Sequence, residues 1–232
     1  MSKLTIIIPV YNEKTTVEEI LRRVQAAPTP GFDKEIIVVD DGSSDGSGEL
    51  LERLSREQGF RLLRHPRNRG KGAAVKTALA QASGDLVLIQ DADLEYDPAD
   101  YVRLLAVSGP DAPVVYGSRY LGRFGGASTL YGLGGRLLTR FMNLLFGTSL
   151  TDINTCYKLF RTDVIKGLDL QADGFEFCEE ATAKALRAGY AIKEAPISYN
   201  PRKKSEGKKI RLRHGLRSFW TIVKYRLGKQ RS

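Results

Sequence analysis

The chain begins with short apolar runs that alternate with stretches of helical period. Residues 4–8, Leu-Thr-Ile-Ile-Ile, are continuous and β-branched, the signature of a parallel strand covered on both faces. Pro9 has no N–H to give a ladder and is expected to end that strand. A loop over 12–16 with Thr16 as capping residue follows, and then Val17, Ile20, Leu21 and Val24 recur at helical spacing. Pro-Thr-Pro-Gly at 28–31 stops the helix. A second buried strand is predicted over 35–40, a turn over 41–46, a helix carrying Leu50, Leu51 and Leu54, and a short strand over 60–63. This rhythm predicts an α/β protein with a mostly parallel, doubly wound sheet. Right-handed crossovers bring the C-terminal strand ends to one edge, where ligands of open sheets bind. Pro9-Val10-Tyr11, Asp40-Asp41-Gly42 and Asp91-Ala92-Asp93 all fall at such ends.

The run Val87-Leu88-Ile89 stops abruptly in three alternating acids, Asp91, Asp93 and Glu95. Carboxylates at the end of a buried strand suit a hard divalent cation. Before it, Arg67-Asn68-Arg69-Gly70-Lys71-Gly72 opens a helix predicted over 73–82. Its glycines permit close backbone approach, and its charge beside a helix N-terminus favours an anion such as a diphosphate. Neither G-x-x-x-x-G-K-[ST] nor G-x-G-x-x-G is present, which removes the P-loop and dinucleotide readings.

Beyond the acids, the pattern predicts a helix from Pro98 through Leu105 and a strand over 114–116. Residues 122–135 hold six glycines and read as a loop that orders over substrate. An amphipathic helix is predicted over 136–146, a turn feeding a strand over 151–161, a helix over 175–188 and a strand over 191–199. Leu216, Phe219, Trp220, Val223 and Leu227 then recur along an amphipathic helix with Arg217, Lys224 and Arg226 between them, able to pack on the body or lie on a membrane.

Charge sharpens this division. Residues 201–232 carry twelve Lys and Arg against one acid, a net +11 of the chain's +9, so the first 200 residues carry −2. A neutral body with a basic tail suggests an anionic partner: a phospholipid surface, a phosphorylated substrate or nucleic acid. The tail's two aromatics, Trp220 and Tyr225, make a poor stacking platform, so nucleic acid is not expected. Residues 4–10 are too short for a signal sequence or a span, and no run reaches about 18 apolar residues. The expectation is a cytoplasmic protein, peripheral at most on the inner face of the membrane. Cys156 and Cys178 have no ligand-like spacing and read as buried thiols. Two segments are expected, a catalytic domain over 1–199 and a basic loop with its amphipathic helix over 200–232. Nothing in the pattern specifies an oligomer.

Five ordered motifs resemble a known family: Ile6-Ile7-Ile8-Pro9-Val10-Tyr11-Asn12-Glu13, Val38-Val39-Asp40-Asp41-Gly42-Ser43-Ser44-Asp45, Asn68-Arg69-Gly70-Lys71-Gly72, Asp91-Ala92-Asp93 and Gly117-Ser118-Arg119-Tyr120. Together they resemble a family 2 glycosyltransferase of GT-A fold with C-terminal acceptor-side helices. Within that family the match is to dolichyl-phosphate mannose synthases and related polyprenyl-phosphate sugar transferases, through Asp152 and Tyr157-Lys158 to Arg202. The resemblance implies a metal-dependent, inverting transfer of a sugar, mannose from GDP-mannose by preference, to a polyprenyl phosphate. Pro9, Tyr11, Glu13 and Asp40 would surround the nucleoside, with Asp40 accepting from the base. Asp41, Lys71 and Ala92 would lie near the nucleotide. Asp91 and Asp93 would hold Mg²⁺ or Mn²⁺, with Glu95, where related synthases have Gln, as a third ligand. Arg119, Arg136, Arg202 and Lys204 would grip the acceptor phosphate, and Asp93, Arg119 and Asp152 are the catalytic candidates. The enzymatic alternative is a UDP-sugar and a hydroxyl acceptor, with Asp152, Glu179 or Glu180 as general base. The non-enzymatic alternative is a nucleotide- or polyanion-binding module.

Overall fold

A computed structural model describes residues 2–121, 130–202 and 212–228. Its centre is a seven-stranded sheet of order β3-β2-β1-β4-β6-β5-β7. The strands are β1 (Ser2–Val10), β2 (Phe32–Asp40), β3 (Arg61–Arg64), β4 (Leu86–Ile89), β5 (Val114–Ser118), β6 (Lys158–Arg161) and β7 (Ile192–Pro196). All neighbours are parallel except β6, which runs antiparallel to both β4 and β5. The mostly parallel, doubly wound sheet expected from the alternating runs is therefore present. The reversal of β6 is not legible in its residues, since a buried apolar strand reads alike in either direction. It brings the start of β6, and the loop before it, to the edge where the other strands end.

Among the described residues, eight α-helices accompany the sheet: α1 (Val17–Ala26), α2 (Ser47–Gln58), α3 (Lys71–Leu79), α4 (Tyr101–Val107), α5 (Leu130–Phe146), α6 (Thr162–Gly167), α7 (Phe177–Arg187) and α8 (Leu212–Leu227). Helix α1 buries the four predicted residues Val17, Ile20, Leu21 and Val24. They join Ile6, Ile7, Ile8 and the apolar residues of β2 and β4 in one continuous core. A smaller core of Met142, Leu150, Ile153, Ala183 and Ile222 fastens α5, α7 and α8 together. The terminal helix thus packs on the body.

Three expectations are corrected. Pro9 does not end β1 but pairs within it opposite Val39. The carbonyl of Ile7 accepts from Gln90 and that of Val10 from Asp41, so alternate residues face β4, and Pro9 lies past the last β4 residue, where no donor is required. Thr16 makes no side-chain cap on α1; its hydroxyl donates to the Ala92 carbonyl at 3.0 Å and to the Glu13 carboxylate at 3.0 Å. Gly134 and Gly135 belong to α5 rather than a loop, because packing against α7 and α8 outweighs their poor helix propensity; residues 122–129 lie outside the described residues. Helix α6, too short to show a period, was not predicted.

Candidate active site

The strand order reverses between β1 and β4, and the crevice beyond such a reversal is the natural ligand site of an open sheet. Residues 11–13 leave β1 and residues 91–95 follow β4 on either side of it. Beneath the acids lies a tyrosine floor that the sequence reading missed. Tyr101 and Tyr157 both donate to Gln90 Oε1 at 2.7 Å, and the Gln90 amide donates to the Asp91 carbonyl at 2.9 Å. A fully buried Gln closing an apolar strand was the available signal. This network fixes the backbone from which Asp91 and Asp93 project.

Lys71 Nζ donates to Asp91 at 2.6 Å and to Cys156 Sγ at 3.3 Å. Burial alone would lower the ammonium's pKa, but the carboxylate beside it drives the pKa well up. Asp91 is correspondingly lowered against the effect of its own burial, chiefly by Lys71. Asp93 is pushed up to about 7, by burial first and by the charge of Asp91 second.

On the β2 side, Asp40 Oδ1 accepts from the Ser43 N–H at 2.9 Å, while Oδ2 is buried with no hydrogen bond among the described residues. Arg64 stands 3.4 Å from it. An orphaned buried acceptor at a strand end is what a ligand N–H would satisfy, in keeping with the expected contact to a base. Asp41 is placed differently from the expectation. Its Oδ1 accepts from His65 Nδ1 at 2.6 Å and from the Arg69 N–H at 2.9 Å, and its Oδ2 from the Gly70 N–H at 2.8 Å. The carboxylate shapes the 67–70 loop. The loop's glycines are likewise turned to the protein: a Cβ on Gly70 or Gly72 would stand 2.3 Å from the carbonyl of Asp173 or Ala172. Their close approach is to the 172–174 backbone.

The acceptor-side expectations divide. Arg119, at the end of β5, forms a two-pronged bond with Asp152, Nε to Oδ2 at 2.6 Å and Nη2 to Oδ1 at 2.8 Å. Asp152 is buried and Arg119 nearly so. Arg136 of α5 lies 4.6 Å from the centre of the Tyr120 ring, and Arg119 lies 5.7 Å from the same centre. These two arginines therefore share one aromatic residue. Arg202 lies on the donor side instead. Its guanidinium donates to Asp93 at 2.6 Å and to Glu13 at 3.1 and 3.2 Å. Lys204 lies outside the described residues.

Glu95, expected as a third metal ligand, is engaged by the protein. Its carboxylate accepts from the Arg202 N–H at 2.9 Å and from the Tyr199 hydroxyl at 3.3 Å, and its carbonyl accepts from the Asn200 N–H at 2.9 Å. It therefore latches residues 199–202 across the acids. Among the described residues, no three His, Cys, Asp or Glu side chains are grouped to hold a metal. The two-acid set of Asp91 and Asp93 still suits Mg²⁺ or Mn²⁺. Both offer carboxylate oxygens at a strand end, and each already pairs with a cationic nitrogen, Lys71 for Asp91 and Arg202 for Asp93.

Tyr11 and Pro9 are partly exposed at the end of β1, and Ala92 is buried under Thr16. Cys156 and Cys178 are free, buried thiols as expected. Glu179 is fully buried, its Oε1 accepting from Asn154 at 2.5 Å, and burial raises its pKa.

Residues 5–168 match the model of Glycosyl transferase family 2. Among curated proteins, a dolichol-phosphate mannosyltransferase of Pyrococcus furiosus is 28% identical over 89% of this chain and 59% of its own length. A low-salt glycan biosynthesis hexosyltransferase of Haloferax volcanii is 31% identical over 86% of this chain and 48% of its own length. An undecaprenyl-phosphate 4-deoxy-4-formamido-L-arabinose transferase of Salmonella paratyphi A is 38% identical over 50% of this chain and 36% of its own length. The chain thus spans between about a third and three fifths of these relatives. Among solved structures, glucosyl-3-phosphoglycerate synthase of Mycobacterium tuberculosis with UDP superposes with a TM-score of 0.73 at 21% identity, over 97% of this chain and 80% of that one. The same enzyme with Mn²⁺, UDP and phosphoglyceric acid gives 0.71 at 20% identity, over 98% and 79%. These likenesses establish the GT-A fold.

Proposed function

The chain belongs to glycosyl transferase family 2, and on that premise we propose that it moves a hexose from a nucleoside diphosphate sugar to a polyprenyl phosphate, with inversion at the anomeric carbon. Residues 1–199 serve as the catalytic body and residues 200–232 as the segment turned to the lipid. The observation that carries this reading is the Arg119–Asp152 fork. A hydroxyl acceptor needs a general base within reach of the attacking oxygen. Asp152 is bound through both oxygens by Arg119. Glu180 accepts from the Gln171 and Ala172 N–H groups and from the Tyr225 hydroxyl, and Glu179 is sealed behind Asn154. A phosphate monoester is already anionic and requires orientation, not deprotonation. Arg119 and Arg136, flanking Tyr120, suit that task because guanidinium matches phosphate geometry.

In the transfer, an acceptor phosphate oxygen attacks the anomeric carbon from the face opposite the diphosphate, and the bond to the diphosphate oxygen breaks. Asp91 and Asp93 would hold Mg²⁺ or Mn²⁺, which supplies charge neutralisation to the departing diphosphate. Lys71 adds fixed positive charge beside them, and Asp40 receives the base. Arg202 must leave Asp93 when the donor enters, which frees it to face the acceptor. The dolichol-phosphate mannosyltransferase that spans 89% of this chain supports mannose, from GDP-mannose, as the first donor to test. No helix of the described residues is long and apolar enough to cross a membrane. The exposed apolar residues of α5 and α8 support peripheral attachment to an anionic bilayer.

The deciding experiment incubates the protein, with Mg²⁺ or Mn²⁺, with GDP-mannose, UDP-glucose and other nucleotide sugars and a short polyprenyl phosphate. Glycolipid from one donor is expected. Turnover on a hydroxyl acceptor alone would overturn the reading.

A further inference from the structure

Glu194 on β7 is a partly buried carboxylate that neither motif nor mechanism has used, and its hydrogen bonds lead to the arginine fork. Its Oε1 accepts from the Thr151 N–H at 3.0 Å, the Thr151 hydroxyl at 3.0 Å and the Asp152 N–H at 2.9 Å, while Oε2 accepts from the Thr151 N–H at 2.8 Å. The Thr151 hydroxyl also shares a 2.5 Å hydrogen bond with Ser118 Oγ, which accepts from the Tyr120 N–H at 3.1 Å. Residues 118 and 120 are the chain neighbours of Arg119, and Asp152 is its ion-pair partner. One carboxylate thus ties down both the backbone that carries the guanidinium and the backbone that carries its counter-ion. β5 and β7 are parallel, with Glu194 opposite Tyr116, so the anchor sits on the rigid sheet while the fork sits on the loops beyond it.

We propose that Glu194 is a positioning residue for acceptor binding, holding the 151–152 turn so that Asp152 presents Arg119 to the acceptor anion in a fixed orientation. The inference rests on the proposed phosphate acceptor, and it deepens that reading by naming what pre-organises the phosphate-binding arginine. Bidentate recognition depends on the angle of the fork, so loosening the turn should weaken acceptor capture and leave the donor crevice, on β1 and β4, undisturbed. An anionic residue near a site for an anion is otherwise counterproductive. Its retention in that place is accounted for by the three donors it organises.

The test uses the full chain with Glu194→Gln, Thr151→Val and Arg119→Lys, alone and combined. For Glu194→Gln, the KM for a short polyprenyl phosphate is expected to rise about tenfold, with kcat and the affinity for nucleotide measured by calorimetry changed less than about twofold. In the Arg119→Lys background the same substitution should add almost nothing, because it acts through Arg119. Independently of turnover, the Arg119 Nε–H resonance in ¹⁵N spectra should be slowly exchanging in the wild type and lose that protection in Glu194→Gln. Full additivity of the two substitutions, or an unchanged protected Nε–H signal, would overturn the proposal. Thr151→Val keeps Glu194 and breaks only the hydroxyl link, so a smaller KM effect of the same kind is expected if Glu194→Gln folds poorly; no KM effect from a folded Thr151→Val protein would count against the relay. Wild-type protein that uses only a hydroxyl acceptor would sink the functional reading, whereas the resonance readout judges Glu194 on its own.

Discussion

At the scale of single residues, pairing decides which acids and bases are free to act. Asp93 is buried, close to Asp91 and held by Arg202, so its charge calls for a positive partner, the Arg202 guanidinium here and a metal ion in the proposed donor complex. Asp93→Ala should reduce transfer by at least about a hundredfold, as expected when a site loses charge stabilisation of its departing group. Thermal melting should be little changed, because the substitution also relieves repulsion with Asp91. Retained turnover in a steady-state assay would break the donor-site assignment. Asp91, Asp93, Lys71 and Arg119 were all singled out as candidates from motif position alone, and Lys71 pairs with Asp91 as Arg119 does with Asp152. The partners of Glu95 and Asp41 were not legible for one physical reason: the donors around each carboxylate, Tyr199 and Arg202 for the first, His65 and Gly70 for the second, come from distant segments.

At the scale of elements, α7 and α8 are joined by a polar tie that the helical period gave no hint of. Glu180 on α7 accepts from Tyr225 on α8 at 2.6 Å and from the Gln171 and Ala172 N–H groups, with Lys184 2.9 Å away. Burial would raise its pKa, yet these bonds outweigh burial and hold it below the usual 4.5. A carboxylate lowered in the folded state contributes stability that is complete above its unfolded pKa and is lost as pH falls through the folded one. Urea melts from pH 7 down to pH 3 should therefore show an acid limb that Glu180→Gln flattens. At neutral pH, Tyr225→Phe should cost about 1 kcal/mol. An unaltered acid limb in Glu180→Gln would show that the tie contributes nothing.

At the scale of the whole molecule, α5 and α8 meet through the stacked rings of Phe141 and Phe219, 4.2 Å apart, and both carry exposed apolar residues. Leu137 and Leu144 on α5 and Leu216, Trp220 and Leu227 on α8 are 67–79% exposed, interspersed with the exposed basic residues Arg140, Arg217, Lys224 and Arg226. Apolar stripes rimmed by cations suit an anionic lipid surface. The protein should float with phosphatidylglycerol vesicles and not with neutral ones, and a Leu137→Ser, Trp220→Ser pair should lower the bound fraction several-fold; equal flotation with both vesicle types would refute an electrostatic contribution. The sequence by itself determined the alternation of β1 to β4 with their helices and the strand-end positions of the acids and of Arg119, because hydrophobic period and strand-end position are local properties. Tertiary structure alone decided the reversed β6, the passage of β1 through Pro9, the helical state of Gly134 and Gly135, the latch of Glu95 on residues 199–202 and the anchoring of the Arg119 fork by Glu194. Each of these depends on a partner between about 30 and 110 residues away or on the packing of several elements at once, and no short window along the chain contains both sides of such a contact.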